Sequence, residues 1–335
     1  MNLLACYRLF CVLLLLGHGP LSAQSLQPFS ATQKHMGTDV TIRVWAPGRE
    51  VAERGFKAAY ARVKALEKIM SDYDAESEIS LLVQQAPMER PVPISADLWQ
   101  VLQRGERISV ASNGAFDVSV GALSRLWRRA RRQKQLPSTE RLQQAIRSVG
   151  YQAVVLGEDT ATIQLKRSGV RLDLGGIGKG FAADAALAEL KRLGLQMALV
   201  DAGGDVAIGV KPPGKPGWRI GVAPLQADGP PSRYLHLAEC GIATSGDAWQ
   251  FVEIGGRRYS HILDPRTGLG LSTRSSVTVI AADATAADGL ASAVSVLGPQ
   301  QGLSLIERFQ GAAALVVQSN GQRVQTWKSC RFPGK

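Results

Sequence analysis

Val170-Arg171-Leu172-Asp173-Leu174-Gly175-Gly176-Ile177-Gly178-Lys179-Gly180-Phe181, running straight into Ala182–Leu193, is the stretch from which the rest of the chain is read. Val170 to Leu174 alternates as a strand does, and the run from Ala182 onward reads as a helix. The four glycines between them let backbone approach a ligand closely, Lys179 adds positive charge, and a helix start offers free N–H groups and its positive dipole end to an anion. Asp173, at the front edge, can accept a hydrogen bond from a base or hydroxyl. A phosphate-bearing ligand fits this design, and so does a plain glycine turn that joins a strand to a packing helix. Neither familiar phosphate template matches. A Walker loop would need glycine where Asp173 stands and Ser or Thr where Gly180 stands, and the alternate-residue glycines do not spell the dinucleotide pattern G-x-G-x-x-G.

Outward from this segment, helices and strands mix without strict alternation. Val40, Ile42 and Val44 alternate with polar neighbours and predict a strand. Phe56, Tyr60, Val63, Leu66, Ile69 and Met70 recur at three and four residues, so 51–70 is an amphipathic helix. Ser95 with Asp97 opens a helix through Ala111 that the Asn113-Gly114 pair closes, and 139–148 is helical too. Strands are expected at 153–156, 160–165, 170–174, 197–201, 218–222, 234–237, 251–254, 258–263, 276–281 and 312–317. Helices are expected at 285–297 and 301–309. Glycine and proline break the later strands into short pieces, which favours antiparallel pairing. The fold class is therefore α+β, with mixed, largely antiparallel sheets and packed helices in a single catalytic unit.

The amino end sets the expected compartment. Arg8, the apolar run Leu9–Leu16 and the small-residue ending Leu21-Ser22-Ala23 form a secretory signal, so residues 1–23 are expected to be cleaved and 24–335 to be the mature, exported, periplasmic chain. The alternative is an uncleaved anchor. No cysteine follows the cleavage point, so a lipoprotein anchor is not indicated. Removal of the signal removes Cys6 and Cys11. Cys240 and Cys330 remain, and either a disulfide or two separate thiols is compatible with their spacing.

The 335 residues carry a net charge of +11, with 45% hydrophobic and 20% charged residues, the balance of an ordinary globular protein. Export argues against nucleic acid as the partner, and no aromatics interleave the densest basic cluster, Arg125, Arg128, Arg129, Arg131, Arg132 and Lys134. That cluster reads as a solvated helix or loop face, or as a patch for an acidic protein or for peripheral association with a lipid surface. Hydrolase chemistry has little support. No H-E-x-x-H occurs, only His35, His236 and His261 follow the signal, and Ser245 lies in Ala243-Thr244-Ser245-Gly246-Asp247 instead of a G-x-S-x-G elbow. Cys240 beside a glycine reads as packing.

Further glycine- or acid-bearing segments punctuate the chain: Met36-Gly37-Thr38, Gly114-Ala115-Phe116-Asp117, Asp201-Ala202-Gly203-Gly204-Asp205, Thr244-Ser245-Gly246-Asp247, Ser260 to Gly268, and Asp288 to Ser292. In order and spacing, from about Met36 to Leu297, they resemble the ApbE family of FAD:protein FMN transferases. The resemblance implies that Met36, Tyr73, Ala115, Phe116, Asp117, Asp173, Lys179 and Leu263 contact FAD. It implies that Mg²⁺ is held by the Gly176 carbonyl and the side chains of Asp288 and Ser292. The last two are four apart on one expected helix and so share a face, and all three are hard oxygen donors. As a plain helix feature, Asp288 is a first-turn acid that complements the dipole. The family usually has threonine at Ser292 and alanine or serine at Gly176, departures that retain the hydroxyl and the carbonyl.

The reaction implied is attack by a threonine hydroxyl of an exported acceptor flavoprotein, a subunit of a membrane redox complex, on the FAD phosphorus nearest riboflavin, with release of AMP. His261 is the candidate base, since an imidazole with a reference pKa of ~6.5 accepts a proton at neutral pH. A structural hydrogen-bonding role for it is equally consistent with the sequence. Two rival activities use the same residues: FAD binding without transfer, and Mg²⁺-dependent hydrolysis of FAD.

Overall fold

The computed structural model describes residues 25–225, 229–247, 250–321 and 323–334. The expected signal peptide lies outside them. The strands are β1 (Gln27–His35), β2 (Thr38–Ala46), β3 (Val92–Pro93), β4 (Val154–Leu156), β5 (Thr162–Leu165), β6 (Ala198–Ala202), β7 (Val206–Ile208), β8 (Trp218–Val222), β9 (Arg233–Leu237), β10 (Cys240–Gly246), β11 (Phe251–Ile254), β12 (Arg257–Ser260), β13 (Arg274–Ala281), β14 (Ala313–Ser319) and β15 (Val324–Lys328). The helices are α1 (Arg49–Met70), α2 (Glu78–Leu82), α3 (Ala96–Ala111), α4 (Gly121–Gln133), α5 (Thr139–Ser148), α6 (Gly178–Arg192) and α7 (Ala284–Glu307). Among the described residues no helix is long and apolar enough to cross a membrane.

An eight-stranded sheet in the order β1-β2-β6-β7-β10-β13-β14-β15 forms the spine, and every neighbouring pair in it is antiparallel. Helices α1, α6 and α7 cover one face. Phe56, Tyr60, Val63, Leu66 and Met70 of α1, Leu187 and Leu190 of α6, and Leu290 and Val294 of α7 meet Val277 and Val279 there in one continuous core. Full burial of each such side chain contributes about 1.5–3 kcal/mol. The other face carries a smaller core in which Leu199, Ile208, Ile280 and Leu315 meet Trp218, Val222 and Leu235 of the β8–β9 ribbon, along with Phe332. The α+β class with antiparallel sheets is thus the observed one.

Local chemistry explains the helix limits. The Ser95 hydroxyl accepts from Leu98 N at 3.2 Å and the Ser138 hydroxyl accepts from Arg141 N at 3.4 Å, satisfying first-turn donors of α3 and α5. Within α7, Gly298 adopts φ +74°, which leaves the two helical stretches expected there separated by a break at Gly298-Pro299.

Several expectations change. The strand at 170–174 reduces to one parallel bridge between Arg171 and Val120, because Val170, Leu172 and Leu174 plug the core with little strand partner beside them. Strands β1, β3, β7, β10 and β15 exist where none was expected. Cys240 and Cys330 are separate free thiols, and burial pushes the Cys240 thiol up to about 11.

Candidate active site

The glycine stretch folds as a tight turn that caps α6. Leu174 O accepts from Ile177 N at 3.0 Å and from Gly178 N at 2.7 Å, and α6 starts at Gly178. Lys179 and Gly180 therefore sit in the first helical turn, and the helix starts four residues before the Ala182 start that the sequence suggested. A Cβ at Gly180 would stand 2.3 Å from Ala284 O, so α6 and α7 touch backbone to backbone. This closeness lets Gly180 N donate to Asp288 Oδ2 at 3.1 Å. A Cβ on Gly176 would lie 3.0 Å from Ser292 Oγ. Gly176, Asp288 and Ser292 accordingly meet in one corner, with Ser245 Oγ of β10 3.4 Å from Ser292 Oγ.

Hydrogen bonding in this corner is incomplete. Gly180 N bonds Asp288 where a helix would have sent it to the Gly176 carbonyl, and no donor to that carbonyl is present among the described residues. Asp288 is 3% exposed and receives that single bond. Burial, then the nearby charge of Asp205, pushes the Asp288 carboxyl up to about 8, against the opposing pull of Lys179. Among the described residues no group of three or more His, Cys, Asp or Glu gathers as a metal cluster. The corner instead combines the Asp288 carboxylate, the Ser292 hydroxyl with that of Ser245 beside it, and the Gly176 carbonyl.

Asp205 is a residue to which the sequence reading gave no role. Buried at 3% exposure just before β7, it forms an ion pair with Lys179. Burial disfavours the Lys179 charge, but Asp205, Asp288 and Asp201 together more than offset it and hold the ammonium above its ordinary value. Burial also raises the Asp205 carboxyl, with Lys179 opposing. The Lys179 ammonium, expected at a phosphate, is engaged by a carboxylate and neutralises the acid cluster behind Asp288.

The other expected FAD contacts fall in two groups. Met36, at φ +50°, donates its N–H to Glu67 Oε1 at 2.7 Å, and its Cε lies 3.8 Å from a Cβ built on Gly178, so it borders the start of α6. Phe116 packs against Gly176, with Cε2 3.3 Å from a Cβ built there, and Ala115 is buried beside it. Asp173 Oδ1 accepts from Gly175 N at 2.8 Å, shaping the turn. Tyr73 is 77% exposed and lies against the Arg128 guanidinium at 3.9 Å. Arg128 reaches Asp72 at 2.6 Å and Asp173 at 3.5 Å, tying these positions together. Arg128 and Asp72 were obscured in the sequence by the basic run and by the acid-rich turn that hold them. Asp117 differs from the rest: Oδ1 accepts from Ser119 N and Oγ at 2.8 and 2.7 Å, and Oδ2 from Tyr151 N at 2.8 Å. Its carboxylate is consumed inside the fold, so of Asp117 only the backbone is left for a ligand.

His261 and Leu263 follow β12. Leu263 pairs with Gly270 by a single bridge and packs against Trp127, Ala130, Val252 and Tyr259. The His261 ring is exposed, with Nδ1 3.1 Å from the Gln250 carbonyl. A carbonyl only accepts, so Nδ1 carries the proton and Nε2 keeps its lone pair. Loss of hydration from the protein around the ring, assisted by the charges of Arg131 and Lys179, holds the pKa below the ordinary imidazole value, while Gln250 and Asp247 pull the other way. The ring is thus a neutral acceptor near pH 7. Asp247 is itself fixed by Arg258 Nε at 2.7 Å and Ser275 N at 3.1 Å.

Comparison with known proteins gives the same direction. The ApbE family profile matches residues 36–316. An FAD:protein FMN transferase from Haemophilus influenzae is 31% identical over 301 residues, covering 87% of each chain, and one from Treponema pallidum is 30% identical over 309 residues, covering 87% of this chain and 85% of its own. Among solved structures, Pseudomonas stutzeri flavinyl transferase ApbE in its apo form superposes with a TM-score of 0.80 at 31% identity, covering 92% of this chain and 96% of its own. A histidine-to-glycine variant of flavin transferase ApbE from Vibrio cholerae gives a TM-score of 0.82 at 25% identity, covering 91% and 98%. The chain, on its matched profile, its curated relatives and its fold, belongs to the ApbE family.

Proposed function

We propose that the protein transfers FMN from FAD to a threonine hydroxyl of an exported acceptor flavoprotein in a Mg²⁺-dependent reaction that releases AMP. The observation that carries this reading is the meeting of Gly176, Asp288 and Ser292 in one corner. The donor set fits the ion, since a buried carboxylate with one hydrogen bond, a hydroxyl and a carbonyl without a donor are hard oxygens in need of a cation. Those three residues would hold Mg²⁺, which when bound supplies charge stabilisation to the pyrophosphate.

The chain's own residues account for the rest. Lys179, paired to Asp205, balances the acid cluster so that Asp288 is not crowded by an unopposed second carboxylate. Arg128 holds Tyr73 and Asp173 at the mouth, and Met36 and Phe116 supply apolar surface beside the turn. His261 Nε2 takes the proton of the acceptor hydroxyl as its oxygen bonds the phosphorus nearest riboflavin. The bond from that phosphorus to the bridging oxygen breaks, and AMP leaves with the bridging oxygen. Export through the amino-terminal signal would bring the enzyme to a periplasmic acceptor within a membrane redox complex.

Incubation of the mature protein with FAD, Mg²⁺ and a threonine-bearing flavoprotein domain tests this. The acceptor is expected to gain the mass of FMN with stoichiometric AMP. FAD binding without that gain would overturn transfer, and AMP formed without acceptor would mark hydrolysis, in which water replaces the threonine.

A further inference from the structure

Helix α4 carries Arg125, Arg129, Arg131 and Arg132, with Lys134 at its end in the left-handed conformation. None of the five is in an ion pair among the described residues, whereas Arg128, on the same helix, turns inward to Asp72 and Asp173. Arg171, which bridges to Val120 at the start of α4, adds a further cation, with its pKa lowered by burial and by the charge of Arg125. Charges massed this way repel one another, and among the described residues no carboxylate pairs with them.

The apolar side of the same helix fixes where this charge lies. Trp127 and Ala130 pack on Val252 and Tyr259, with the Trp127 and Tyr259 rings 5.2 Å apart. Trp127 Nε1 donates to Gly268 O at 2.7 Å. Helix α4 is thereby strapped to the segment that holds His261 and Leu263, and Arg131 is near enough for its charge to act on the His261 ring. Arg131, half-buried at the edge of the basic cluster, is the member whose charge reaches the position from which the acceptor proton would be taken.

We propose that the exposed basic face of α4 is the docking surface for an acidic stretch of the acceptor polypeptide, guiding its hydroxyl to His261. The proposal rests on the transfer reading above. A lipid surface is the less favoured occupant, because a helix lying on a bilayer turns Trp, Phe or Leu toward it, whereas α4 places Leu123, Trp127 and Ala130 inside the protein. A polypeptide needs only opposite charge along the basic side, which also speeds encounter.

The test uses two labelled peptides of equal length with a central threonine, one otherwise rich in glutamate and the other in lysine. Each is titrated by fluorescence anisotropy against the mature chain and its R129E/R132E/K134E variant. The glutamate peptide is expected to bind the parent chain, and its Kd to rise about tenfold or more in the variant. That gap should close near ~1 M salt, where the screening length falls to ~3 Å. FAD affinity should match in the two proteins, which certifies the folded site. Equal binding of the glutamate peptide to both proteins, or tighter binding of the lysine peptide, would overturn the proposal. Sedimentation with phosphatidylglycerol vesicles that the variant loses, with the glutamate peptide bound equally by both, would assign the face to lipid instead. FMN transfer is scored separately on a flavoprotein acceptor domain, so a failure of transfer is distinguishable from a failure of docking.

Discussion

Asp117 and Asp288 are both buried carboxylates, 6% and 3% exposed, yet they are supplied very differently. Asp117 receives three short hydrogen bonds from Ser119 and Tyr151, which offset much of the cost of its burial. Asp288 receives one, faces the like charge of Asp205, and is pushed up to about 8. A carboxylate surrounded by donors serves the fold, and one left short of them stands ready for a ligand that supplies positive charge.

The largest expected effect breaks or confirms that contrast. Asp288→Asn should lower FMN transfer by roughly 10³-fold, about 4 kcal/mol, while the melting temperature near neutral pH stays level or rises, because a carboxyl whose folded pKa lies far above its unfolded value costs stability there and the amide does not. Asp117→Ala should do the reverse: about 3 kcal/mol less stability in denaturant unfolding, with transfer per folded molecule nearly retained. Swapped outcomes would mean the roles of the two acids have been exchanged.

Next in size, His261→Ala should reduce turnover about 10²-fold with an unaltered Kd for FAD. Since the loss of hydration to the surrounding protein, with the charges of Arg131 and Lys179, lowers the folded pKa of His261, the imidazole stays neutral to a lower pH than a free one would. The acid limb of kcat/KM should therefore fall below pH ~6.5, as proton uptake through the folded pKa removes the base. A limb at or above that value would dismiss His261 as the group titrating.

Breaking the pair behind Asp288 comes third. Lys179→Met should cost about 3 kcal/mol by stranding Asp205, and the Lys179→Met/Asp205→Leu double variant should recover most of the stability but not the transfer. Equal stability of the single and double variants would show that the pair is not coupled. The smallest effect belongs to the mouth. Arg128→Lys keeps the charge but loses the flat guanidinium against Tyr73, so Kd for FAD should rise about tenfold, and an unchanged Kd by fluorescence titration would place FAD elsewhere.

Much of the helical layer was legible, because α1, α3 and α5 are amphipathic and the last two open on capping serines. The central strand β10 was not. Its sequence, Cys240-Gly241-Ile242-Ala243-Thr244-Ser245-Gly246, reads as turn material, but a Cβ at Gly241 would stand 2.1 Å from Ala284 N, so glycine is required where α7 crosses the strand. The same requirement for close approach hid β10 and produced the glycine-rich signature of the site. Edge strands β1 and β15 escaped notice because their residues are mostly exposed and lack a clean alternation. For the site, the resemblance to the ApbE family named Gly176, Asp288 and Ser292, and the four-residue step from Asp288 to Ser292 agreed with it. Asp205 was in view within its motif, but its pairing to Lys179 joins residues 26 apart and depends on how β7 returns past α6.

Where Gly180 meets Ala284, the two helices lie against each other with no side chain as a spacer. The gap between the turn at Gly176 and the oxygens of α7 is therefore dictated by main-chain contact, the least adjustable dimension a protein has. Rotamer changes or repacking elsewhere in the core leave it untouched. A lone methyl at Gly180 would pry the helices apart and alter what size of ion the proposed Gly176-Asp288-Ser292 site could grip, so a residue that makes no chemical contribution of its own acts as the gauge of that corner.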